Sequence, residues 1–187
     1  MTDEETRVST AMPDRVTVGI VLERHDSTHP WQDHVWSARG VMPGGGPGGH
    51  WRVLDTGPGW TRFYAGCLDL QLFRRETESY RQNLSCAVPS LYVVLRSNEN
   101  DDDEEDGHEV EPFLITACPF EAQDYMDSGE ETVENVPMPV EVAAWVQAFI
   151  DRHHVNEPFI KRKQKPKQCG VTSEPFARKP METKRGG

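Results

Sequence analysis

What this chain has little of sets its limits first. No run approaches the roughly 18–20 apolar residues that a membrane-spanning helix needs, and mean hydropathy is −0.67. Met1 to Arg15 is polar and acidic, without the apolar stretch of a secretory signal. A soluble, cytoplasmic protein is the expectation. Cysteine is scarce, and Cys67, Cys86, Cys118 and Cys169 stand far apart with no Cys-x-x-Cys pair. That spacing argues against a zinc cluster, and a reducing compartment leaves such thiols unpaired. Cys67 and Cys118 lie in apolar, strand-like surroundings and are expected to pack as small hydrophobes. Also missing are G-x-S-x-G, H-E-x-x-H, a Cys–His signature and the Lys-Ser/Thr that completes a phosphate loop. No catalytic motif supports an enzyme, and no cofactor or metal is implied.

What is present suits one core. The 187 residues are 36% apolar, too few for two comfortable domains. The net charge of −11 is unevenly spread. Residues 160–187 hold nine Lys or Arg against Glu174 and Glu182, a local excess of seven positive charges, so the other 159 residues carry −18. Such a body repels nucleic acid everywhere except at the tail, where counterion release allows only weak, sequence-independent binding.

Residues 1–14 read as a disordered tail, 15–158 as one domain, and 159–187 as a disordered basic tail. Val16, Val18, Ile20 and Leu22 alternate with their neighbours and predict a first strand. Val35 to Met42 predicts a second, ended by the glycine run from Pro43 to Gly49, which is expected to be a flexible hairpin connection. Further strands are expected at Trp51–Leu54, Trp60–Cys67, Leu68–Phe73, Ser90–Arg96 and Pro112–Ala117. Asp101 to Asp106 is an unbroken acidic run inside a loop at 98–108, expected to be solvated and mobile. A helix is expected from Pro119 to Asp127, stopped by Ser128-Gly129. A second follows from Val142, Trp145, Val146, Phe149 and Ile150, which form one apolar stripe. The class is therefore α+β: mainly antiparallel sheet or a partial barrel, with a short helix and a C-terminal amphipathic helix packed on it.

Three segments are candidates for function. Trp31, Gln32, Asp33, His34 and Trp36 crowd two indoles and an Asp-His pair into one stretch. Trp is enriched in binding hot spots, which suggests a recognition surface. A strand start with Trp31 or Trp36 capping the core fits the same letters. His25 and His29 have the spacing of helical metal ligands but read as exposed loop residues beside Pro30. Glu76, Glu78 and Tyr80 would share one face of an extended segment, either as paired carboxylates for acid–base work or as a charged strand edge that discourages aggregation. The edge accounts for them more simply.

The segments Val18–Arg24, Pro30–His34, Gly59–Arg62, Glu76–Tyr80, Pro89–Arg96 and Glu121–Glu130 together resemble a proteobacterial domain-of-unknown-function family. The resemblance runs from about Val16 to Lys163. Members look like companions of molybdenum-dependent formate dehydrogenase genes, and some carry the name molybdopterin-guanine dinucleotide biosynthesis protein A. That name implies an N-terminal Leu-Ala-Gly-Gly-x-Ser-x-Arg-Met-Gly nucleotide loop. Here the first strand runs into Glu23-Arg24-His25 instead, so the name does not fit.

What the resemblance implies is a non-enzymatic accessory or maturation factor of formate dehydrogenase. It would bind a subunit or maturation protein through Trp31, Gln32, Asp33, His34, Trp36, Trp60, Arg62, Glu76, Glu78 and Tyr80. The alternative is an enzyme or carrier for the molybdenum cofactor or its nucleotide, with a pocket lined by Trp36, Trp60, Arg62, Glu76 and Tyr80. A basic-tailed protein touching nucleic acid is a third, weaker reading.

Overall fold

Alternation builds the longest strand. The computed structural model describes residues 13–31, 33–46, 48–98 and 108–155, and in it Val18, Ile20 and Leu22 line the buried face of β1 (Arg15–Asp26). Strands β2 (His34–Pro43), β3 (Arg52–Gly57) and β4 (Trp60–Gln71) join it in the order β2-β1-β4-β3, every pair antiparallel. A second antiparallel sheet, ordered β6-β5-β7, is made by β5 (Ser90–Ser97), β6 (Val110–Thr116) and β7 (Thr132–Pro137). With helices α1 (Thr77–Leu84), α2 (Pro119–Ser128) and α3 (Val140–His153), this is an α+β fold of two sheets that do not close into a barrel. Among the described residues, no helix is long and apolar enough to cross a membrane. The expectations for the N-terminal tail, the acidic run at 101–106, Cys169 and the basic tail fall on residues outside those described, save Pro13 and Asp14.

Both sheets contribute to one core. Val18, Ile20, Leu22 and Phe63 from the first sheet meet Leu91, Val93 and Leu95 of β5, together with Val142, Trp145, Val146, Phe149 and Ile150 of α3. The expected stripe on α3 is thus the face it buries. Each such side chain contributes about 1.5–3 kcal/mol, whereas solvent screens an exposed ion pair such as Arg81–Glu78, so apolar burial decides the stability. Helix α2 starts at Pro119, where the N–H that proline lacks has no partner to lose, and ends on Gly129 at φ 71°.

Four local expectations are corrected. The stretch Trp60–Phe73 does not hold two strands: Trp60–Gln71 is one, interrupted where Ala65 bulges out between Tyr64 and Gly66. The stretch from Thr77 to Leu84 is helical, because Tyr80 and Asn83 both bury there and both find partners. The Asn83 amide donates to the carbonyls of Ser90 and Ala117 and accepts from the Ser90 N–H, tying the start of β5 to the chain just after β6. Strand β7 had no sequence counterpart. Cys67 is exposed, although Cys118 is buried as expected.

The fourth correction concerns the glycine run. Strands β2 and β3 lie at opposite edges of their sheet, so the segment between them crosses the outer face of β1 and β4. Gly45 bridges to Val18, and a Cβ on Gly19 would sit 2.6 Å from the Tyr64 ring. A Cβ on Gly46 would collide with that ring outright. The glycines therefore permit a close crossing over Tyr64, which is why the run is there.

Candidate functional site

On the outer face of β1 the alternation places Glu23, a residue that solvent would ordinarily claim. Its relative exposure is 2%. It stands opposite Arg62 of β4 and Ser37 of β2 in the strand register. Arg39 is the extra residue of a β-bulge, since Val21 pairs with Gly40 and Leu22 with Ala38. Bulges re-aim side chains, and this one turns Arg39 onto the carboxylate. Arg39 Nε donates to Glu23 Oε1 at 2.6 Å, and Arg62 donates to Oε2 through Nε at 3.0 Å and through Nη2. His25 Nε2 lies 2.7 Å from Oε1.

Burial alone would raise the Glu23 pKa. The hydrogen bonds from Arg62, His25 and Arg39 outweigh it and hold the group at about 2. A carboxylate so held neither gives nor takes a proton near neutrality. Its chemical effect falls on the arginines, whose planar forks it fixes in one orientation. Trp60 extends the site: the Arg62 guanidinium lies 5.2 Å from its ring centroid, and the ring covers Gly57, where a Cβ would clash. Beside the arginines is an open cleft of about 410 Å³ lined by Val21, Arg39, Gly40, Val41 and Arg62.

Of the residues expected to bind a partner, Trp60 and Arg62 are brought together here. Trp31 and Asp33 are exposed in the β1–β2 turn, with Trp31 at 89%, and Gln32 lies outside the described residues. Trp36 is in the core, on the inner face, at 5.7 Å from Trp51 and 5.6 Å from Phe63 by ring centroid. Trp36 Nε1 donates to Glu109 at 3.0 Å, and His34 Nδ1 lies 2.8 Å from the same carboxylate. The core-capping reading of Trp36 is the right one. Trp51, the one described non-glycine residue at positive φ (55°), stacks on His108 at 3.8 Å.

Glu76, Glu78 and Tyr80 belong to a different place. The Cys118 thiol donates to Glu76 Oε2 at 2.8 Å and lies 3.0 Å from Ser79 Oγ. Burial, and then the Glu76 carboxylate, push the Cys118 thiol up, so it stays protonated and caps α2 through the Glu121 N–H. Glu78 pairs with Arg81 across one helical turn. Tyr80 is buried and its hydroxyl accepts the Phe73 N–H at 3.1 Å. A single pocket of Trp36, Trp60, Arg62, Glu76 and Tyr80 is not assembled.

Sequence reasoning missed Glu23, His25 and Arg39. His25 is a strand residue against Glu23, not a loop histidine. An acid at a polar position of an alternating strand carries no sign of burial, and a bulge is invisible until the partner strand is known. Among the described residues, no group of three or more His, Cys, Asp or Glu is placed to hold a metal ion.

Comparison with protein families places residues 17–163 under the family described as protein of unknown function (DUF3305), and the chain belongs to that family. No curated protein and no solved structure matches it.

Proposed function

We propose that this DUF3305 protein is a non-enzymatic accessory or maturation factor of molybdenum-dependent formate dehydrogenase, acting in the cytoplasm by binding a subunit or maturation protein of that enzyme. The observation that supports a binding role is the Arg39–Glu23–Arg62 lattice with Trp60 beside it. Trp and Arg are the side chains that most often dominate interfaces, at about 2 kcal/mol or more each. Ordering a long side chain on binding costs about 0.5–1.5 kcal/mol, and Glu23 has already ordered two of them. The same lattice argues against acid–base chemistry, because its carboxylate is committed to the ionised form. The link to formate dehydrogenase rests on the family resemblance of the segments given above.

Capture of the tagged protein from its native host tests the reading. A component of the molybdenum enzyme is expected in the eluate, reduced at least tenfold with Trp60→Ala while the circular dichroism spectrum is unchanged. A strain without the gene is expected to lose formate dehydrogenase activity. An empty eluate together with normal activity in that strain removes the proposal.

A further inference from the structure

We propose that the cleft between Arg39 and Arg62 is a carboxylate-binding subsite, which builds on the reading of this face as a docking surface by naming the group it takes. Donor accounting is the first support. Each guanidinium has five N–H donors. Arg39 spends one on Glu23 and Arg62 spends two, which leaves, among the described residues, four and three uncommitted on two side chains that line the cleft. Neither side chain is engulfed: Arg39 is 51% and Arg62 37% exposed. Their forks are held from below by a buried acid, so an incoming oxyanion meets donors that are already oriented.

Charge selects the class of anion. Arg39, Arg62 and Glu23 sum to one net positive charge, and His25 bonds the same carboxylate. Asp55 stands opposite Arg62 in the β3–β4 register with its carboxylate on the Thr56 N–H, and Glu134 of β7 feels Arg39 while bonding the Ala38 N–H. Those two acids repel a dianion more than a monoanion. A planar, singly charged carboxylate fits the fork geometry and meets less of that repulsion than a dianion does. The remaining lining, Val21, Gly40 and Val41, suits the short apolar stem of an aspartate, a glutamate or a small carboxylic acid, and a Cβ on Gly40 would have no atom within 4 Å.

Nitrogen-15 spectra of the arginine Nε–Hε groups in the full chain, titrated with sodium acetate at constant ionic strength, read the site directly. Saturable shifts of Arg39 and Arg62 at about millimolar acetate are expected. Arg39→Gln removes one fork and Arg39→Lys keeps the charge without the fork; both are expected to weaken acetate at least tenfold. A blocked Gly-Glu-Gly peptide and its Gln twin separate the two sources of the ligand. Binding of the Glu peptide tenfold tighter than of acetate and of the Gln twin is expected, because the occupant is a protein partner's acidic side chain, and equal binding of acetate and the Glu peptide overturns that source in favour of a small carboxylic acid. Shifts that do not saturate, that survive in both variants, or that inorganic phosphate produces more tightly overturn the carboxylate assignment. Capture of a partner that persists alongside such a failure leaves the docking surface standing without this ligand.

Discussion

Glu23 carries the most consequence of any single residue. Its pKa falls from 4.5 to about 2 on folding, so the native state favours the ionised form and gains stability wherever the unfolded chain would also be ionised. That contribution, about 3 kcal/mol for a shift of this size, is complete above about pH 5 and is lost as pH falls from 4.5 toward 2. Urea unfolding at pH 6 and pH 3 measures it, and Glu23→Gln is expected to flatten the difference while lowering stability at pH 6 by about 3 kcal/mol. Asn83 is the second such residue. Asn83→Ala leaves the Ser90 and Ala117 backbone groups without their partners and is expected to cost about 2–4 kcal/mol in the same assay.

At the scale of elements, the crossing over Tyr64 is the feature most exposed to test. Gly46→Ala forces a methyl group into the Tyr64 ring, with an expected loss of about 1–3 kcal/mol and a matching fall in Tm. Gly48→Ala, where a Cβ meets nothing within 4 Å, is the control and is expected to change stability by less than about 0.5 kcal/mol. These elements also mark where the sequence could be read. Strand β1 and helix α3 were legible because apolar residues repeat at the period of the element, two for a strand and 3.6 for a helix, and β5 because Leu91 to Leu95 is an unbroken run of β-branched, aromatic and aliphatic residues. Helix α1 was not, since its buried face is made of Thr77, Ser79, Tyr80 and Asn83, polar-bearing side chains whose partners, such as Cys118 for Ser79 and Ala117 for Asn83, lie outside the helix. Strand β7, with Val133 and Val136 as its apolar residues and Pro137 at its end, falls below any periodic signal. Trp60 and Arg62 could be picked out by residue type. Glu23 could not, because its burial is a property of the two strands beside β1.

For the molecule as a whole, one apolar cluster joins the inner faces of both sheets to α3, so the sheets are expected to unfold together. Tryptophan fluorescence, near-ultraviolet and far-ultraviolet circular dichroism should trace one coincident urea transition. Leu91→Ala, at the centre of that cluster with 0% exposure, is expected to lower its midpoint by the equivalent of about 2–5 kcal/mol without splitting it.

The placement of β4 between β1 and β3 has a bearing on how the chain is made. During synthesis the first three strands emerge with two of them unable to meet, because the one that joins them is the last to be translated. A nascent chain halted before Trp60 exposes the β1 edge and all of β3, and the first sheet completes only once Gln71 has cleared the ribosome.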